Sequence, residues 1–357
     1  MKKIGIIIVN YKDYAEKFLD ECVQSLRGQE APDFEWELYI IDNASSEDSV
    51  KFLKEHAPEV IVIPRQDGNY SAANAAGIER AKKDGCGYYV IANMDVKFFQ
   101  GWLKELVKAV DSGDMVGIAQ SKILLHPRSE EERKNPKINS LGNVLNFLGF
   151  GYTKGYGEPD EGVGQEVQEI KGYASGCSMI IKKEVIAKIG NYDAQYYIYH
   201  DDVELCWRAK LAGYKIVLAP KSIVYHKYEF QRSIKMLYYM ERNRQLAVLS
   251  FYKLPTLILL WPALLAMDMG IGFFSIINGW FLIKLKAGWY FMKLSSWKHI
   301  LKARKKVREY RVVSDREILK SMSGKVEYQE VMNPVLKYIA NPMFNLYFKV
   351  VKGIIWW

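Results

Sequence analysis

The first apolar run of the chain, residues 4–9, is unbroken, and it reads as a strand buried on both faces of a parallel sheet rather than one that alternates between core and solvent. The period then changes. Phe18, Cys22 and Leu26 recur every fourth residue with Leu19 and Val23 beside them, so the spacing predicts a helix that packs one apolar face on that sheet. Further short apolar runs at 38–41, 60–63 and 88–92 alternate with helical stretches at 49–56 and 72–83, a pattern that predicts βαβ units. From 142 to 172 periodicity fades and glycines and acids accumulate, as expected of a long loop or irregular hairpins over a site. Strands are expected again at 178–181 and 215–218, with a helix at 203–212 stopped by Gly213. Beyond about Gln231 the chain becomes helical, basic and strongly apolar. The expected organisation is therefore an α/β domain over 1–230 and a helical region over 231–357.

Composition narrows the class. With 357 residues, 49% hydrophobic and 25% charged, the chain has an ordinary globular balance. Cys22, Cys86, Cys177 and Cys206 lie far apart with no CxxC pair, which suggests neither a zinc site nor a disulfide framework and fits a reducing setting. The apolar run after Met1-Lys2-Lys3 is too short for a signal peptide and lacks a small-residue cleavage site. A net charge of +9 invites a nucleic-acid partner, but the basic residues concentrate beside the apolar C-terminal stretch. An anionic membrane surface is the expected partner, and no nucleic acid.

In open α/β sheets ligands bind beyond the carboxyl ends of the strands. The polar residues there are Asn10, Asp42-Asn43, Arg65 and Asn93-Met94-Asp95, so carboxylates and amides converge on one rim. A dinucleotide fold would place GxGxxG after the first strand; this chain has Asn10-Tyr11-Lys12-Asp13-Tyr14, which argues against a dehydrogenase. Val9-Asn10-Tyr11, Ile41-Asp42-Asn43-Ala44-Ser45, the stretch from Asp67 to Asn74, Asn93-Met94-Asp95, Ser175-Gly176-Cys177-Ser178-Met179 and the stretch from Tyr199 through His200-Asp201-Asp202 to Arg208 follow one another in order. Together these motifs resemble family-2 glycosyltransferases of the GT-A fold, in particular the rhamnosyltransferase-like branch. The resemblance covers about the first 230 residues and implies a Rossmann-like, mostly parallel sheet with flanking helices.

The resemblance makes Asn93-Met94-Asp95 the counterpart of a DxD motif whose first acid is Asn, leaving Asp95 as the metal-binding carboxylate. Hard oxygen ligands suit Mg²⁺ or Mn²⁺, and such an ion would neutralise the leaving diphosphate. His226 stands where the family often places a metal-binding histidine. Asp202 matches the second acid of the family's acidic pair and is the implied general base, with Asp201, Ser175 and Gly176 on the acceptor side. Asp42 is implied to meet the nucleobase, and Asn10, Arg65, Asn69, Asn74 and Asn93 complete the expected donor site. Read without the resemblance, Asn93 and Asp95 could satisfy backbone donors at a strand-end turn, Asp201 or Asp202 could cap a helix, and His226 could be structural.

Residues 257–283 contain one charge, Asp268, and are long enough to span a bilayer, but Pro262, Gly270, Gly272, Asn278 and Gly279 interrupt them. Both flanks are basic: Arg232, Lys235, Arg242, Arg244 and Lys253 before, and 298–308 after. Positive flanks on one side favour a re-entrant pair or in-plane helices over a single crossing, with a buried hairpin or oligomer interface as the alternative. The expected function is an inverting transfer of a sugar, rhamnose being the first candidate, from a dTDP- or UDP-sugar to a glycan or polyprenyl-linked glycan. Its expected place is the cytoplasmic face of the cell membrane, possible homo-oligomers included. The competing readings are a nucleotidyltransferase of similar fold and a membrane-bound scaffold without turnover.

Overall fold

The computed structural model describes residues 1–29, 33–162, 166–228, 236–327 and 334–357. These divide into two compact units, one formed by Met1–Asn143, Thr153–Ala209 and Tyr214–Tyr228, the other by Val144–Tyr152, Lys210–Gly213 and Glu229–Trp357. The boundary expected near Gln231 lies outside the described residues.

The first unit opens with β1 (Lys2–Tyr11), α1 (Tyr14–Arg27), β2 (Phe34–Asn43), α2 (Glu47–His56), β3 (Ile61–Arg65), α3 (Tyr70–Lys83) and β4 (Tyr88–Ala92). It continues with β5 (Val96–Phe98), α4 (Trp102–Val110), β6 (Val116–Leu125), α5 (Glu130–Lys134) and β7 (Ile138–Ser140). The 142–172 stretch forms the two-stranded ladder β8 (Asn143–Leu145) with β9 (Gly151–Thr153), then β10 (Gln168–Glu169), an irregular hairpin arrangement of the expected kind. After it come β11 (Ser178–Lys182), α6 (Lys183–Ile189), α7 (Asp201–Leu211) and β12 (Lys215–His226).

The main sheet runs in the order β10-β12-β6-β11-β4-β1-β2-β3, with β5 on β12 and β7 on β6. Strands β3, β2, β1 and β4 are mutually parallel, as are β6 and β12, whereas β11 runs antiparallel to both β4 and β6. The sheet is thus mixed, and β11 is the reversed strand at its centre. Alternate residues of β1 explain its unbroken apolar run. Ile4, Ile6 and Ile8 pack with α1 and α4, while Ile7 and Gly5 face α3. Sequence placed the last strand at 215–218, but β12 continues to His226. Its register shifts between Ala219 and Ile223, so the proline at position 220, which cannot donate to a ladder, sits in an irregularity and the pairing resumes.

The second unit contains α8 (Leu237–Phe251), α9 (Leu254–Ile277), α10 (Phe281–Tyr290), α11 (Leu294–Tyr310), α12 (Asp315–Lys320) and α13 (Asn341–Ile354). The long apolar stretch is therefore two helices, parted at Asn278 and at Gly279, whose φ of 75° a side chain would resist. Arg242 and Arg244, expected as positive flanks, are buried instead. Arg244 donates two hydrogen bonds to Glu241 and one to the Leu148 carbonyl, and Arg242 lies against the rings of Tyr238, Tyr239 and Tyr290. Burial alone would raise the Glu241 pKa, but Arg244 and Lys284 bring it down to about 2, so the carboxylate stays ionised.

Helix α3 lies so close to β1 that a Cβ at Gly77 would overlap Ile7. Alanine is the better helix former by about 1 kcal/mol, yet overpacking costs roughly 1–3 kcal/mol, and the Ile7 and Ile41 side chains that the new Cβ would meet are themselves fully buried. Gly77→Ala is expected to lower the denaturant midpoint of the folded chain; an unchanged or raised midpoint would show that α3 can shift away from the sheet.

Candidate active site

Because β11 is reversed, the turn that leads into it lies at the same edge as the carboxyl ends of β1, β2, β4, β6 and β12. Backbone pairing alone thus gathers the expected residues from distant parts of the sequence onto one rim. Asn10 and Asp42 are partners in the β1–β2 register, and the Asn10 amide donates to Asp42 Oδ1 at 2.8 Å. The second Asp42 oxygen accepts from Ser49 Oγ at 2.6 Å, and Ser49 also completes a capping box with Ser46 at the start of α2. Asp42 is fully buried, so its orientation is fixed by two neutral donors before any ligand arrives. Sequence reasoning missed Ser49, although Ser46 and Ser49 show the three-residue spacing of such a box.

Further along the rim, Val96 of β5 pairs with His226 of β12, and the Lys227 backbone N–H donates to the Asp95 carbonyl. This brings His226 Nε2 to 3.4 Å from Asp95 Oδ1. The other ring nitrogen, Nδ1, meets Asn139 Oδ1 at 2.9 Å, which fixes the ring so that Nε2 faces the carboxylate. Both side chains are buried. Burial alone would lower the His226 pKa; the Cys177 thiol and the Asp95 carboxylate raise it, and the balance is well upward. Such surroundings favour a positive charge. A carboxylate beside an imidazole suits Mn²⁺ better than Mg²⁺, and among the described residues no third His, Cys, Asp or Glu completes a closed cage. Asn139 had no local sequence signal, since it orients a residue 87 positions away.

The candidate base lies at the start of α7. Tyr199 and His200 have φ values of 62° and 61°, a left-handed conformation unusual for two successive non-glycine residues, and they turn the chain directly into Asp201-Asp202. Asp202 is half-buried and accepts hydrogen bonds from its neighbour Val203, at 2.8 Å, and from the Gly176 backbone N–H. Burial pushes its pKa up to about 6 against the pull of these donors. Asp201 is more deeply buried, and burial together with the Asp202 and Glu204 charges drives its pKa well above the carboxylate range. Of the two, Asp202 is the less strongly shifted. A Cβ at Gly176 would meet open space, so the turn carrying this donor presents bare backbone to any ligand.

Partners inside α7 and α3 hold this turn. Arg208 binds Glu204 through Nε and Nη2, and its remaining donors reach the carbonyls of Ile189, Gly190 and Asn191. The Ser71 N–H donates to the Tyr197 carbonyl at 2.9 Å, and Tyr70 reaches Asn93 Oδ1 at 3.1 Å. Ser175 is anchored beneath by Gln120, whose Oε1 accepts from the Ser175 N–H at 2.7 Å. Tyr70 and Cys177 stand within recognised motifs but were not singled out as site residues, and Gln120 lay hidden in an apolar strand.

Two expected donor contacts look different in the structure. Asn69 caps α3 through Ala72 and gives its amide N–H to the Ala194 carbonyl, so its polar atoms shape the site's wall. Arg65 donates from Nη2 to Asp67 at 2.6 Å; its Nε is buried and has no hydrogen-bond partner among the described residues. Asn74 is buried beside the Tyr70 hydroxyl.

The chain matches Glycosyl transferase family 2 over residues 5–190. It is 25% identical over 205 residues to the Uncharacterized protein y4gI of Sinorhizobium fredii (strain NBRC 101917 / NGR234), a match over 54% of this chain and 21% of that protein. The chain thus spans about a fifth of the length of the curated relative it matches. Among solved structures, GalNAc-T7 with UDP, GalNAc and Mn²⁺ superposes with a TM-score of 0.55 at 16% identity, over 71% of this chain and 49% of that one. S. aureus TarS 1–349 in complex with UDP superposes with a TM-score of 0.50 at 14% identity, over 99% of this chain and 90% of that one. Likeness at these identities establishes the fold, an α/β GT-A-like mixed sheet with flanking helices and a helical C-terminal region. The family match covers more than half of the sequence, and on that ground the chain belongs to Glycosyl transferase family 2.

Proposed function

We propose that this glycosyltransferase is inverting and metal-dependent, taking a sugar from a nucleoside-diphosphate donor and passing it to a hydroxyl of a glycan. The observation that carries the reading is Asp202: a carboxylate with a pKa of about 6, oriented by two backbone N–H groups beside a bare glycine turn. A base of that strength is ionised at neutral pH yet still draws a proton effectively. Asp202 accepts the acceptor hydroxyl proton as the oxygen attacks the anomeric carbon; the bond from that carbon to the diphosphate oxygen breaks, and the nucleoside diphosphate leaves. Asp201, the more deeply buried of the pair, holds its proton more tightly than Asp202.

Asp95 and His226 would hold Mg²⁺ or Mn²⁺, and the bound ion would supply positive charge to the diphosphate as it departs. Asn139 holds the imidazole for that task. Asp42, preset by Asn10 and Ser49, takes the nucleobase end. Arg65 and Asn74 offer buried groups to the rest of the donor, and Asn93, held by the Tyr70 hydroxyl, adds its amide. A uracil or thymine base fits the Asp42 carboxylate equally, since both carry a ring imide proton. Rhamnose from a dTDP donor is the first candidate within this reading, on the strength of the motif order of the rhamnosyltransferase-like branch. A polyprenyl-linked glycan at the cytoplasmic face of the membrane is the proposed acceptor, supported by the exposed apolar helices and neighbouring lysines of the second unit.

Incubation with a panel of nucleotide sugars, Mn²⁺ and candidate lipid-linked acceptors is expected to release nucleoside diphosphate from one donor. No release together with no donor binding would sink the transferase reading. Asp202→Asn should lower turnover by roughly 10²–10⁴-fold while sparing donor affinity; normal turnover would place the base elsewhere. Because protonation removes the base, kcat/KM should fall as pH drops through the pKa of about 6. A profile flat down to the ordinary aspartate range would show that Asp202 is not the titrating group.

A further inference from the structure

We infer that the second unit rests on an anionic lipid bilayer with α9 lying in the membrane plane rather than crossing it. The inference shares only the membrane-borne acceptor with the proposed function, and it is tested by binding, without turnover. Leu254, Ile258, Trp261, Leu265, Met269 and Phe273 are all exposed and recur every three to four residues, forming one uncharged stripe along α9. Only 17% of the helix's most apolar window is buried, so α9 is not a core helix.

The opposite face is fastened to protein from Thr256 to Asp268, about half of a helix that is roughly 36 Å long at 1.5 Å per residue. Thr256 hydrogen-bonds to Asp315 and accepts from Trp357 at 2.9 Å; Leu260, Ala263 and Met267 are buried between the ends; and Asp268, the lone charge, turns to Lys284 and to Gln245. A helix that crossed the bilayer would carry these partners to membrane depth. The Arg311–Asp315 pair lies at one end and the Lys284–Glu241 pair nearer the other, so some ionised pair would enter hydrocarbon at high cost. In-plane placement leaves all of them on the protein side.

Neighbouring helices repeat the pattern. Tyr347 of α13 hydrogen-bonds to the Leu259 carbonyl of α9, and Met343, Leu346, Val350 and Ile354 of α13 are exposed at helical spacing. In α11, exposed Leu294, Trp297 and Leu301 alternate with exposed Lys298, Lys302 and Lys305, the tryptophan-and-lysine texture of an interfacial helix. Exposed apolar area this extensive calls for a partner. The lysines select one with negative charge, which an anionic bilayer supplies and a second copy of this basic face does not.

The full chain should sediment with preformed phosphatidylglycerol-containing vesicles, less with phosphatidylcholine alone, and less at high salt. Joint Leu265→Glu and Phe273→Glu substitution should weaken that binding by about tenfold or more with an unchanged melting temperature, since both side chains are exposed. Lys253→Cys and Asn278→Cys, at the two ends of α9, should both react with a membrane-impermeant maleimide added outside bound vesicles; the four native cysteines are buried. Reaction at one end only would overturn the in-plane placement. Failure to bind either vesicle, or a dimer that the two glutamates dissolve, would overturn the bilayer as occupant while leaving the transferase reading intact.

Discussion

The direction of one strand organises the first unit. Ser178–Lys182 runs against both of its neighbours, so the Ser175-Gly176-Cys177 turn arrives at the edge where the parallel strands end. Had β11 been parallel, that turn would lie at the opposite edge and Asp202 would lose the Gly176 N–H that orients it. The pairing of Val96 with His226 acts in the same way for the other half of the site, since it brings a carboxylate and an imidazole together from positions 131 residues apart in a 357-residue chain. Backbone hydrogen bonds therefore set the chemistry, and side chains refine it.

Refinement here means fixing charged groups before a ligand arrives. Asp42 is held by Asn10 and Ser49, His226 by Asn139, and Asp202 by two N–H groups. In a buried setting each such contact is electrostatically stronger than in water, and each avoids reorganisation at the moment of reaction. The same surroundings separate Asp201 from Asp202: adjacent in sequence, they differ in burial, and the deeper one holds its proton more tightly. The Arg65 Nε is a buried polar atom that the described protein residues do not satisfy, as a site built around a polar ligand would have.

Much of this was legible from residue pattern. Strand β4 spans the residues its apolar run suggested, and α3 and α7 start and stop within two residues of their periodic signals, because hydrophobic period and glycine stops are local. The course of β12 was not, because a proline at position 220 reads as a strand end unless the partner strand is known to bulge around it. Asn139 and Gln120 were invisible for a related reason: they act on residues 87 and 55 positions away, and no short-range spacing records such a contact. The arginines of α8 misled in the opposite direction. Charge near an apolar run suggests a membrane flank, but Glu241 draws Arg244 inward, and the rings of Tyr238, Tyr239 and Tyr290 enclose Arg242.

The central claim is that Asp95 and His226 form a cation site that serves the donor diphosphate. Calorimetric titration of the full chain with UDP and with dTDP, each in the presence and absence of Mn²⁺, tests it directly. One nucleotide is expected to bind about tenfold or more tightly with the metal, and Asp95→Ala to remove this gain while leaving the weak metal-free binding in place. Equal affinity with and without Mn²⁺, or a gain that survives Asp95→Ala, would contradict it.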